Sequence, residues 1–119
     1  MSTVRVAYPA LNRSELLERL RKASTRLRRA LPVTRVILFG SYAVNRYTAA
    51  SDIDLLIVYE GPKRKDAYRI VAGEIRLPRL ELRVYTEREY RALLAESPKF
   101  AGVLAAEGLS VVGGARVNG

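Results

Sequence analysis

The sequence contains no cysteine and no histidine. Their absence excludes disulfides, zinc sites built on thiolate or imidazole, Ser-His triads and any imidazole general base. Chemistry in this chain must rest on carboxylates, hydroxyls, lysine, arginine or a hard metal. Glutamine is missing as well, methionine stands only at position 1, and asparagine only at 12, 45 and 118. Few thermolabile residues beside many Arg and Glu suggest a thermophilic source. No apolar run approaches the ~20 residues that span a bilayer, and no secretory leader is visible, so the expected location is the cytoplasm.

What is present is a 119-residue chain, enough for one core and too short for two full ones. Apolar residues make up 49% and charged residues 28%, the balance of a folded domain. The formal net charge of +9 favours an anionic partner: nucleic acid, a nucleotide or an acidic protein.

Residues 1–11 read as a flexible lead-in, with Pro9 opposing regular structure. Asn12 is placed to cap a helix, and Glu15 sits at capping-box spacing. Leu16, Leu17, Leu20, Ala23, Leu27, Ala30 and Leu31 then recur at helical spacing until Pro32. The other face carries Arg13, Arg19, Arg21, Lys22, Arg26, Arg28 and Arg29. It reads as a solvated face that could also meet RNA or an acidic partner, although no aromatics interleave with it to stack bases.

Residues 36–58 organise the rest. Val33 to Phe39 is a nearly continuous apolar run, as expected of a strand covered on both sides. Gly40 permits a tight turn with close backbone approach, and Ser41 is placed to cap a short helix running to about Asn45. Residues 46–51 are polar and small and read as a loop. Asp52 to Tyr59 is a second strand, whose alternation puts Asp52, Asp54, Leu56 and Val58 on one face. Two carboxylates so placed lie roughly 6.5–7 Å apart at Cα, and their side chains can converge on one magnesium ion at about 2.0–2.1 Å.

Downstream, Gly61-Pro62 breaks the strand, and Lys63-Arg64-Lys65 reads as a solvated basic loop. A helix is predicted over 66–75 and a third strand over 80–86, with Glu81, Arg83 and Tyr85 sharing a face. Thr86 and Glu89 then form a capping box, and a short helix over 100–107 stops at Gly108. A last strand spans 109–112, and 114–119 is a tail; an exposed apolar edge over 100–112 could pair chains, while a monomer docked on a partner dimer is equally compatible. Residues 12–113 are one domain of α/β (α+β) class.

Gly40-Ser41, ten residues, then Asp52-Ile53-Asp54 is a Gly-Ser-x10-Asp-x-Asp pattern flanked by two core strands. In this the chain resembles the minimal nucleotidyltransferases of the DNA polymerase beta superfamily. The resemblance runs from the first helix to Gly108-Leu109-Ser110-Val111-Val112. It implies a polymerase-beta-like palm, a small mixed sheet with helices packed on it. It also implies Mg²⁺ (two ions in the active form, or Mn²⁺) held by Asp52 and Asp54, and ATP as donor. Gly40 and Ser41 would face the triphosphate, with Arg46 adding charge. A third carboxylate on an adjacent strand completes such sites, and Glu81 is the candidate. The family more often has Asp there, and Glu is one methylene longer.

The implied activity is transfer of a nucleoside monophosphate, AMP from ATP, to a hydroxyl. Such proteins are commonly encoded with a HEPN-domain partner, usually a ribonuclease toxin, and act as antitoxins by adenylylating a tyrosine of that partner. A chain this short is expected to lack the added domains with which larger relatives grip nucleic acid. Two other classes stand beside this one. The first is a catalytically weak, nucleotide-binding subunit that masks a partner, and the second an RNA-binding protein using the basic first helix.

Overall fold

In a computed structural model, residues 11–111 are described. Residues 1–10 of the expected lead-in and residues 112–119, which include the end of the expected last strand and the tail, lie outside them. Helix α1 (Arg13–Ala30) begins where the apolar stripe begins. Asn12 caps it, its side chain accepting the Ser14 N–H at 2.8 Å and satisfying an otherwise orphaned amide. The expected box with Glu15 thus reduces to a single cap, Glu15 contributing its charge to the first turn. Leu16, Leu20, Ala23 and Leu27 are buried. The buried Ser24 avoids an unpaired hydroxyl by donating to Leu20 O at 2.7 Å. Leu31 turns extended ahead of Pro32, as a residue before proline prefers.

Strands β1 (Val33–Phe39), β2 (Ile53–Tyr59), β3 (Leu80–Thr86) and β4 (Leu109–Ser110) form one sheet in the order β3-β2-β1-β4. β1 runs antiparallel to β2 and β4, and β2 runs parallel to β3. The parallel pair requires a crossover, supplied by α2 (Ala67–Glu74). Helices α3 (Glu87–Glu96) and α4 (Pro98–Glu107) follow β3.

The two-residue alternation of β2 divides the core. Ile53, Leu55, Ile57 and Tyr59 join Leu16, Leu20 and Leu27 of α1 and Val71 of α2. Leu56 and Val58 face the other way and join Ile37, Phe39, Tyr90 of α3 and Leu104 of α4. Apart from Asp54, every residue of β2 is buried, which is why this strand reads as an apolar run. The fold is therefore mixed α/β, a mixed four-stranded sheet with helices on both faces.

Boundaries differ slightly from expectation. Asp66 is the N-cap of α2, its C=O accepting the Ile70 N–H at 2.9 Å, while its carboxylate turns away to Arg64, at 3.1 and 3.0 Å. The basic loop is solvated but not idle. The Arg64 N–H donates to the Tyr59 hydroxyl at 2.9 Å, and Lys63 pairs with Glu89 at 3.0 Å. The box at α3 is complete: Thr86 Oγ1 accepts the Glu89 N–H, and Glu89 Oε1 accepts the Thr86 N–H, both at 3.0 Å. Leu11, expected in the lead-in, packs against the core.

Candidate active site

The short helix expected after Ser41 does not form. Residues 41–45 are successive turns: Ala43 and Val44 N–H both donate to Gly40 O, and the Arg46 N–H donates to Ser41 O at 2.8 Å. Asn45 adopts a left-handed backbone (φ 59°), which reverses the chain before a helix can propagate. Buried Tyr42 and Ala43 anchor the turn to the core. The anion-binding potential here is that of a turn, not of a helix N-terminus.

Gly40 occupies a conformation closed to most residues (φ 76°). A side chain there would also collide with Asp54: an added Cβ would fall on Oδ2 and 3.1 Å from Cγ. The cause is register, since Phe39 is paired with Asp54 across the β1–β2 ladder. The two halves of the motif thus meet in space, the glycine leaving room for the carboxylate.

Asp54 is paired in turn with Glu81 across the parallel β2–β3 ladder. Their side chains share the face covered by α3 and α4, neighbouring strands being about 4.8 Å apart. Burial raises the Asp54 pKa above its usual value; the nearby charges of Glu81 and Asp52 raise it further, Arg83 lowers it, and Glu107 raises it. Such crowding of negative charge is what a cation relieves. Asp52, just ahead of β2, is half exposed and pairs with Arg79 at 3.5 Å. A pair this exposed is worth about 0–1 kcal/mol, so a competing ligand at Asp52 meets little opposition. In this arrangement no three acidic side chains among the described residues converge closely enough to hold a metal ion. The donor set itself, all oxygen and crowded, fits a hard divalent cation.

Arg46 is exposed at the end of the turn. It shares an open depression of about 550 Å³ with Arg13, Asn45, Ala106 and Glu107. Two residues here escaped the sequence reading. Arg13 belongs to no solvated face: its guanidinium donates to Tyr42 O and Ala43 O, each at 2.9 Å, and its N–H donates to the Tyr47 hydroxyl at 3.1 Å. It ties the start of α1 to the turn. Tyr42 and Tyr47 stack on each other, centroids 4.3 Å apart and planes 7° apart, which fits packing beside the first helix. Glu107, the last residue of α4, brings a further negative charge towards Asp54. Neither had a local signal, because each is an ordinary charged helix residue until the tertiary fold places it. Arg83 lies over the Phe100 ring at 5.5 Å.

A glycine-spaced turn against a strand-borne carboxylate is now joined by a match to known proteins. Residues 20–104 match the family described as nucleotidyltransferase domain. The chain belongs to that family. A provisionally named protein adenylyltransferase of Methanocaldococcus jannaschii is 47% identical over 49 residues, 41% of this chain and 50% of that protein. The match thus spans half the length of that curated relative. The crystal structure of a provisionally assigned nucleotidyltransferase from Sulfolobus solfataricus superposes with a TM-score of 0.54 at 26% identity. It covers 67% of this chain and 75% of that one. Among the described residues of this nucleotidyltransferase domain, no helix is long and apolar enough to cross a membrane.

Proposed function

We propose that this nucleotidyltransferase domain moves AMP from ATP onto a protein hydroxyl in a metal-dependent reaction. The observation that carries the reading is the meeting of Gly40 with Asp54, and of Asp54 with Glu81, at one end of the sheet. The family supports nucleotidyl transfer in general, and the name of the archaeal relative favours a protein as acceptor.

In the reaction the acceptor oxygen bonds to the α-phosphorus, the bond to the bridging oxygen breaks, and pyrophosphate leaves. The turn at Gly40-Ser41 would sit against the triphosphate, with the Ser41 hydroxyl donating to a phosphate oxygen. Arg46 and the rim of its depression would draw the polyphosphate by charge. Asp52 and Asp54 would hold Mg²⁺, with Glu81 towards a second ion; once bound, the metal neutralises charge on the transferring phosphoryl group. Glu81 would accept the proton of the attacking hydroxyl.

The resemblance to minimal nucleotidyltransferases extends the proposal to the acceptor, a tyrosine of a HEPN-domain partner, with this protein as its antitoxin. A second reading, a nucleotide-binding subunit with weak chemistry, is favoured by one observation: Asp52 leans on Arg79 and the carboxylates do not converge. RNA binding by α1 has less support, because Arg13 and Arg26 of its basic face are committed to Tyr42, Ala43 and Glu74.

The test is incubation with α-labelled ATP, Mg²⁺ and the candidate partner. Label should pass to the partner and be lost in Asp52→Asn and Asp54→Asn. Nucleotide binding without transfer would favour the second reading. Glu81→Gln should abolish transfer while Glu81→Asp retains it; an active Gln variant removes Glu81 from the site.

A further inference from the structure

Strand β3 ends the sheet on the side opposite β4, and among the described residues no strand pairs with its outer edge. The direction of its backbone groups follows from one bond: the Ile53 N–H donates to Arg79 O at 2.8 Å. In a parallel ladder this turns Arg79, Glu81, Arg83 and Tyr85 towards β2, and leaves the N–H and C=O of Leu80, Leu82 and Val84 pointing outward. No hydrogen bond from the rest of the chain reaches these outward groups among the described residues. The same three side chains are only partly buried, whereas the equivalent positions of β2 are sealed.

The sequence of this edge is complementary to itself. Laid antiparallel about Leu82, Leu80-Glu81-Leu82-Arg83-Val84 sets Leu82 against Leu82, Leu80 against Val84, and Glu81 against Arg83 of the second strand. The outward-pointing residues then form hydrogen-bonded pairs, each exchanging two backbone bonds. Glu81 and Arg83 fall at the intervening non-hydrogen-bonded positions, where side chains approach most closely and opposite charges gain most. Centring on either neighbour sets Glu81 against Glu81 or Arg83 against Arg83. The alternation of sign therefore selects one register and opposes those slipped by two residues to either side, while a one-residue slip sets outward backbone groups against inward ones and breaks the ladder.

We propose that β3 pairs with β3 of a second copy, making a two-fold dimer with one continuous sheet through both chains. The partner's Arg83 then lies beside Glu81, so each copy contributes a cation to the edge of the other's carboxylate site. The contact is small, and two chains of +9 repel, so the dimer is a weak one that forms with concentration. It stands or falls without reference to catalysis.

Sedimentation equilibrium of the full chain in Mg²⁺-free buffer tests it. The apparent mass should rise with concentration from 13.3 kDa towards twice that value. Arg83→Glu should weaken association by about tenfold or more, since it opposes like charges at both cross-strand pairs. The double swap Glu81→Arg with Arg83→Glu should restore it. A chain that stays monomeric at every concentration overturns the proposal, as does a dimer indifferent to Arg83→Glu or a swap that folds and does not restore pairing. If a variant fails to fold, hydrogen exchange of the wild type decides. The Leu80, Leu82 and Val84 amides should gain protection as concentration rises, and exchange independent of concentration refutes the pairing.

Discussion

Replacing Gly40 with alanine probes the contact on which the site is built. Two costs arise, and they can be separated. The first is conformational: a Cβ at φ 76° costs roughly 1–2 kcal/mol wherever the residue sits. The second is steric and specific, because that Cβ falls on the Asp54 carboxylate and 3.1 Å from its Cγ. Asp54 must leave its rotamer or the strands must part, adding about 0.5–1.5 kcal/mol. Together they come to roughly 1.5–3.5 kcal/mol. At about 4 °C per kcal/mol for a domain of this size, that lowers the Tm by roughly 6–14 °C. In an Asp54→Ala background only the conformational cost should remain, since the retained Asp54 Cβ lies 3.5 Å from the added one, an ordinary contact. A double-mutant cycle followed by thermal unfolding should therefore show a coupling near 1 kcal/mol. Equal costs in the two backgrounds would refute the steric contact, and a neutral Gly40→Ala would refute both parts.

Asp54→Asn should raise the Tm at neutral pH while removing transfer. The folded pKa of Asp54 is raised by burial and by Glu81 and Asp52, so its ionised form works against folding, and a lowered Tm would contradict that crowding. Glu87 behaves oppositely: burial raises its pKa, but hydrogen bonds from Thr34 and Arg35 and the charges of Arg35 and Arg91 outweigh it, for a net lowering from 4.5. Its stabilisation should be full above 4.5 and lost as pH falls through the lower folded value. The Tm gap between wild type and Glu87→Gln should accordingly narrow in acid; a gap indifferent to pH would show that the ion pair carries nothing. Arg13→Ala should cost about 1.5–3 kcal/mol in urea unfolding, because two carbonyls lose a charged donor. A cost below about 0.5 kcal/mol would place Arg13 among ordinary surface residues.

Much of this protein could be read one residue at a time. The caps at Asn12 and Thr86 are local chemistry, and the stripe of α1 and the alternation of β2 are local periodicity, so each names a buried face without knowing what covers it. Gly40-Ser41 and Asp52-x-Asp54 were legible for the same reason, their spacing being a property of the chain alone. The expected helix after Ser41 failed because a local cap signal was overruled: Tyr42 and Ala43 are held in the core, and Asn45 turns the chain back. What only the tertiary structure decided is which distant residues meet. The parallel pairing of β2 with β3 sets Glu81 beside Asp54, and the antiparallel register of β1 sets Gly40 against it. Packing delivers Arg13 to the turn and Glu107 towards the carboxylates. Periodicity specifies a face, whereas strand order and register come from the joint packing of both faces of the sheet, and no short stretch of sequence contains that information.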